Sequence, residues 1–231
     1  MKRTLRAVAL LALSAGALEA QVSPGQFTVT TRVGAMSPER AASMDMSGLV
    51  GLDTEYSLTR WLGIGGTVDV ARGNTRREDF VARYRYGNAG VGGGDTIFYQ
   101  YLSQPVNTIN IGAYGVLRAP SDKFSPFVMA GIGTYSLFLD AQVAGKAERK
   151  VEMSYLFGGG VWYRFNESSS IQFDVRALQM QKYDRQFLDP SKGSLPNTVF
   201  PEDFPAVPAA KNTALNTIFT LGFRYIPGGG N

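Results

Sequence analysis

A chain of 231 residues with 27 glycines, 12% aromatic and 18% charged residues and no cysteine suits one sheet-rich domain, and excludes a disordered acidic tail or a disulfide-stapled miniprotein. The net charge of +4 does not argue for a nucleic-acid partner, because Lys2, Arg3 and Arg6 against Glu19 supply half of it within the first twenty residues. Histidine is absent, so Ser/His/acid and Cys/His catalytic groupings and His-ligated zinc are excluded too.

Residues 1–20 have the parts of a secretory signal: a basic start, an apolar run over 7–18 and Ala20 before Gln21. About twelve apolar residues are too few to span a bilayer as a helix, which needs roughly 20. Cleavage is therefore expected after Ala20, with Ala17 as the alternative, leaving 21–231 as the exported domain. No cysteine follows the signal to carry a lipid, and no later run of 18 apolar residues offers a membrane helix. If the exported chain enters a membrane, it must do so as a closed sheet, in which every backbone polar group is paired.

The strand pattern has period two from the start. Phe27, Val29, Thr31 and Val33 share one face; Val50, Leu52, Thr54 and Tyr56 oppose Gly51, Asp53, Glu55 and Ser57; Leu62, Ile64, Gly66, Val68 and Val70 oppose Gly63, Gly65, Thr67 and Asp69. Next comes a hairpin over 79–103, where Arg83, Tyr84, Arg85 and Tyr86 lead to the glycine-rich tip 90–94 and Phe98, Tyr99 and Tyr101 follow it. Arg83 and Arg85 on one face make it an extension above a membrane in preference to a further pair of spanning strands. Further strands are expected over 109–117, 127–139 and 153–165, then over Ile171, Phe173, Val175 and Ala177 against Gln172, Asp174 and Arg176, and finally over 215–226. The count is eight.

Connections are short at 57–61, 118–125 and 166–169 and long at 34–45, 71–107, 140–150 and 179–212, which matches short periplasmic turns and long outer loops. Aromatics crowd the short-turn side: Tyr56, Trp61, Phe124, Phe127, Trp162, Tyr163, Phe165 and Tyr225 are expected as an interfacial girdle. The polar parity places Asp53, Glu55, Asp69, Arg164, Asp174, Arg176 and Arg224 in the lumen, four carboxylates against three guanidinium groups, predicting a plug of ion pairs. Pairing of the first and last strands would bring Arg224 towards Asp53 or Glu55.

With its signal, eight alternating strands, the segments 62–66 and 158–165 and the aromatic last strand 219–225, the chain resembles the OmpA/OmpX-type eight-stranded outer-membrane barrels. The resemblance implies an all-β, antiparallel up-and-down transmembrane barrel in a bacterial outer membrane, with lipid and the barrel-assembly machinery as partners. Residues 226–231 after Tyr225 depart from the family's aromatic ending. A soluble lipocalin-like barrel also alternates, but the one-sided aromatics, the unequal loops and the glycines sharing a face with charges favour the membrane form.

Chemistry is sparse. Asp53 and Glu55 could act as a carboxylate pair on a glycoside, yet their shared face reads as lumen salt bridges. The glycines at 90–94 lack the Lys-Ser/Thr of a phosphate loop, and no cofactor or metal motif is present. The acceptor pattern Asn166-Glu167-Ser168 falls in a predicted tight turn. Two classes remain: a structural or surface-interaction barrel working through its long loops, with a surface protein or lipopolysaccharide as candidate partner, or a narrow channel or binding barrel for small solutes or ions. The width of an eight-stranded barrel favours the first.

Overall fold

The computed structural model describes residues 23–86, 96–121, 123–139, 148–189 and 211–227, with the backbone alone for 81–86, 96–99 and 148. The signal segment lies outside the described residues. The strands are β1 (Phe27–Pro38), β2 (Ser47–Ser57), β3 (Leu62–Asn74), β4 (Val81–Tyr86), β5 (Thr96–Tyr101), β6 (Pro105–Arg118), β7 (Phe124–Leu139), β8 (Glu148–Arg164), β9 (Ser169–Gln181) and β10 (Thr213–Tyr225). Eight of them close an antiparallel barrel in the order β1-β10-β9-β8-β7-β6-β3-β2, while β4 and β5 form a separate two-stranded sheet. The expected eight strands are thus present, and the hairpin is no part of the wall.

Alternation decides the two faces. On β10, Ala214, Ile218, Thr220 and Arg224 are buried while Leu215, Phe219, Leu221, Phe223 and Tyr225 are exposed. A water-soluble barrel would turn that apolar set inward; here it faces out, where a hydrocarbon solvent accepts it. Closure pairs β1 with β10 over Val29↔Tyr225 to Pro38↔Asn216 and leaves the barrel no free edge.

The short turns are set by side chains. Thr59 Oγ1 accepts from Leu62 N at 2.9 Å, and Asn166 Oδ1 accepts from Ser168 N at 3.0 Å, each fixing a reversal within a few residues. On the other side the strands run on: β8 has 17 residues, about 3.3 Å each, and so overshoots an apolar band roughly 25 Å tall even when tilted. The overshoot is covered by chain from the long loops. Met44 bridges Thr75, Tyr183 Oη donates to Ala42 O at 2.6 Å, and Gln104 Nε2 donates to Leu188 O at 2.8 Å.

Candidate functional site

The lumen is the place where polar chemistry concentrates. Asp53 on β2 is its hub, with Arg32 Nη2 at 2.8 Å from Oδ1 and Arg176 Nη2 at 2.6 Å from Oδ2. Thr67 Oγ1 donates to Asp53 Oδ1 at 2.6 Å. Arg32 Nη2 also meets Asp69 Oδ1 at 2.5 Å, and Arg176 Nε meets Asp174 Oδ1 at 2.8 Å. Asp174 is completed by Thr220 Oγ1 at 2.8 Å and Gln172 Nε2 at 2.6 Å. Five strands, β1, β2, β3, β9 and β10, are tied together through this one cluster.

A second cluster lies nearer the short turns. Arg224 Nη2 is 3.3 Å from Glu55 Oε1, and its guanidinium carbon stands 3.9 Å from the centre of the Trp162 ring. Phe127 stacks on that ring at 4.5 Å, and Trp162 Nε1 donates to Gln172 Oε1 at 2.7 Å, which joins the two clusters. Arg118 Nη1 is 2.7 Å from Glu55 Oε1, a charge contact without an aligned N–H, since none of its three guanidinium nitrogens makes a hydrogen bond.

Of the residues expected in the lumen, Asp53, Glu55, Asp69, Asp174, Arg176 and Arg224 are buried there. Arg164 is not in the network. It has the inward parity but sits at the last position of β8, half-buried, and its Nε donates to Asn166 O at 3.0 Å in the adjoining turn. Arg32 and Arg118 take its place, so the lumen holds four carboxylates and four guanidinium groups among the described residues. Both were legible by parity. Arg32 alternates with Thr31 and Val33, and Arg118 follows Leu117, although the apolar pattern alone marks only the outward face of the first strand and places Arg118 at the start of a turn.

The girdle needs a matching correction. Tyr56, Trp61, Phe124, Tyr163, Phe165 and Tyr225 are exposed on the short-turn side, whereas Phe127 and Trp162 are buried in the lumen. Adjacent residues on one strand cannot share a face, so Trp162 and Tyr163 could not both face lipid. Space for the lumen cations comes from glycine. A Cβ at Gly51 would lie 2.6 Å from Asp69 Oδ1 and 2.8 Å from Arg32 Nη2, so no larger residue fits beside that pair.

In the hairpin, Arg83 pairs with Tyr99, Tyr84 with Phe98 and Tyr86 with Thr96 along the backbone, and Arg85 stands opposite Ile97. The side chains of these residues lie outside the described residues. Tyr101 is described and exposed, lining a surface hollow of about 370 Å³ with Asp45, Arg76, Arg77 and Glu78. Among the described residues no cluster of acids is arranged to hold a metal ion. Arg40, in the first long loop, pairs with Asp79, whose carboxylate holds the guanidinium above its ordinary pKa.

The sequence matches the outer membrane protein beta-barrel domain over residues 6–225. The chain belongs to the outer membrane beta-barrel family. Solved structures similar to this family member include Neisserial surface protein A, at 11% identity and a TM-score of 0.49, covering 86% of this chain and 94% of that one. OprG from Pseudomonas aeruginosa aligns at 10% identity and a TM-score of 0.47, covering 90% and 99%. The outer membrane enzyme PagL aligns at 14% identity and a TM-score of 0.38, covering 86% and 98%. No curated protein matches the chain. As a member of this family it resides in the bacterial outer membrane, crossing it with strands.

Proposed function

We propose that this barrel is a non-enzymatic, non-conducting outer-membrane protein with a structural or surface-contact role exerted through its long loops. The observation that carries this reading is the filling of the lumen. Arg32, Arg176 and Arg224 are under 2% exposed in its polar part, as are Tyr135, Leu137, Leu178, Met180 and Ile218 in its apolar part. A barrel of eight strands is just wide enough for such side chains. Catalysis is disfavoured by the same burial: Asp53 and Glu55, each about 5% exposed or less, are engaged by arginines. The outer loops then carry the contact surface, for which a surface protein is the candidate partner, with the assembly machinery needed only for insertion.

Planar-bilayer recording on refolded full-length barrel tests this. The expected result is no steady conductance from the native protein, and leakage or loss of the folded form when Arg32, Arg176 and Arg224 are replaced together by alanine. A large, steady conductance from the unmodified protein would overturn the reading in favour of a channel.

A further inference from the structure

The lipid-facing positions of the eight barrel strands carry almost no charge. Along β1, β2, β6, β7, β9 and β10 the outward set is apolar, small or uncharged polar; the two outward charges are Arg72 on β3 and Arg149 on β8, both exposed. Both are cations, and both stand at the long-loop end. They also share one continuous row of cross-strand partners, Arg72↔Asn107, Asn107↔Phe138 and Phe138↔Arg149.

Neither arginine has a carboxylate partner among the described residues, although cations around the same rim do. Arg76 is 3.9 Å from Asp45, Lys150 3.8 Å from Asp184, Lys182 3.9 Å from Glu152 and Lys211 3.0 Å from Glu39. Arg149 is instead laid against the outer wall. Its Nη2 donates to Ser136 Oγ at 3.4 Å and its guanidinium carbon is 5.0 Å from the Phe138 ring centre. Beside Arg72 the wall is open, since a Cβ at its strand partner Gly48 would meet nothing within 4 Å.

Depth identifies the ligand class. From Leu62, the turn-side end of β3, to Arg72 is about 33 Å along the strand, or roughly 25 Å along the membrane normal at a tilt near 40°, the height of the apolar band. From Tyr163 to Arg149 is about 46 Å along β8, or roughly 35 Å along the normal. The backbone of Arg72 therefore stands at the edge of the hydrocarbon and that of Arg149 about 10 Å farther out, with some 14 Å between the two strands. The Arg149 guanidinium is turned back towards the membrane onto Ser136. A glycerophospholipid offers its anion in a single plane. A phosphorylated glycolipid offers anionic groups at more than one depth on a broad saccharide.

We propose that the outward face of β3, β6, β7 and β8 binds the headgroup of a phosphorylated outer-leaflet glycolipid, with Arg72 and Arg149 as its two anion contacts and Asn107 between them. Planar guanidinium forks suit phosphate oxygens, and an arginine at the edge of the hydrocarbon avoids the cost of facing lipid mid-bilayer. The inference depends on the long loops facing outward, and not on the lumen being closed.

The test titrates the purified, folded full-length barrel in detergent with bis-phosphorylated lipid A and with its dephosphorylated counterpart, reading bound lipid by native mass spectrometry. The Arg72→Gln/Arg149→Gln double variant should bind the phosphorylated lipid at least about tenfold more weakly, and should bind the dephosphorylated lipid as the native protein does. The Lys/Lys version should recover part of the affinity, and Arg77→Gln, which removes an exposed loop cation outside the row, should change nothing. Heat-modifiable migration verifies that each variant is folded, and the two single variants serve if the double is not. Native affinity in the double variant, an equal loss in Arg77→Gln, or phosphatidylglycerol binding as tightly with the same sensitivity would each overturn the assignment.

Discussion

The two halves of the lumen differ in chemistry, with the buried ion pairs concentrated in one of them. Towards the short turns, Arg32, Asp53, Asp69, Asp174 and Arg176 interlock with Glu55, Arg118 and Arg224. Towards the long loops, Met36, Leu49, Tyr135, Leu137, Leu139, Leu156, Leu178, Met180 and Ile218 form an apolar core with Phe80, Tyr183 and Leu188 from the loops. The difference matters because the outside of the wall is nearly uncharged on every strand and gives little reason for one strand register over another. In hydrocarbon, burying an outward leucine gains nothing. The ion pairs supply that reason on the polar side, since a shift along one strand would leave buried charges without partners. The apolar side is sealed by volume, and volume is more forgiving.

The largest effect expected from breaking this comparison is at Asp53. Asp53→Ala removes the acceptor shared by Arg32, Arg176 and Thr67 and leaves two buried guanidinium groups short of compensation. A loss of about 3 to 5 kcal/mol is expected, as for removing one partner of a buried pair. Urea titration of the folded form in lipid vesicles measures it. A loss under about 1 kcal/mol would mean that water inside the barrel solvates these arginines, and that the polar half is not the register lock.

How much of this was legible in the sequence follows from the same physics. Period two is a strong signal wherever both solvents are uniform, so all eight wall strands and the inward placement of Asp53, Asp174 and Arg224 could be read. Parity fades at strand ends, where a side chain can leave the lumen for a turn. Arg164 did so, and Arg118, read as a turn residue, did the reverse. Aromatic identity misled at Phe127 and Trp162, because a ring stacked under a guanidinium and a ring at a lipid interface look alike in composition. The apolar half of the lumen was not foreseen. Alternation hides it where apolar residues fall on both faces, as along Leu137, Phe138 and Leu139 on β7, and its loop components come from segments with no periodicity at all.

The middle-sized effect belongs to the apolar half. Leu178 is 1% exposed and lies among the core side chains, so Leu178→Ala should cost about 2 to 4 kcal/mol through lost burial and the cavity left behind. Leu178→Met, which keeps volume, should cost under about 1.5 kcal/mol. The same urea titration applied to both variants sharpens the contrast: the polar half should be intolerant of any change at Asp53, Asp53→Asn included, while the apolar half should tolerate the methionine. An equal penalty for alanine and methionine would mean that shape, and not volume, holds this half together.

The smallest effect should come from the seam between barrel and loops. Tyr183 is buried, and its phenol donates to Ala42 O across the mouth, holding the start of the fourth long loop to the first. Tyr183→Phe keeps the ring but leaves that carbonyl without its donor, which should cost about 1 to 2 kcal/mol. Because the contact joins two loops and no barrel strands, the cost should appear as faster hydrogen exchange at 39–45 and 182–189, with little change in global unfolding. Burial pushes the Tyr183 phenol above its ordinary pKa, so the neutral form is favoured in the folded protein. The stabilisation is therefore complete below about pH 10, the ordinary tyrosine value, and is lost as pH rises through the higher folded value. Exchange in the native loops should accelerate above that point, and the phenylalanine variant should lack this alkaline component. An identical pH profile in the two proteins would show that the seam is held by packing of Leu188 and Phe80 alone, which would make the mouth an extension of the apolar core and not a latch upon it.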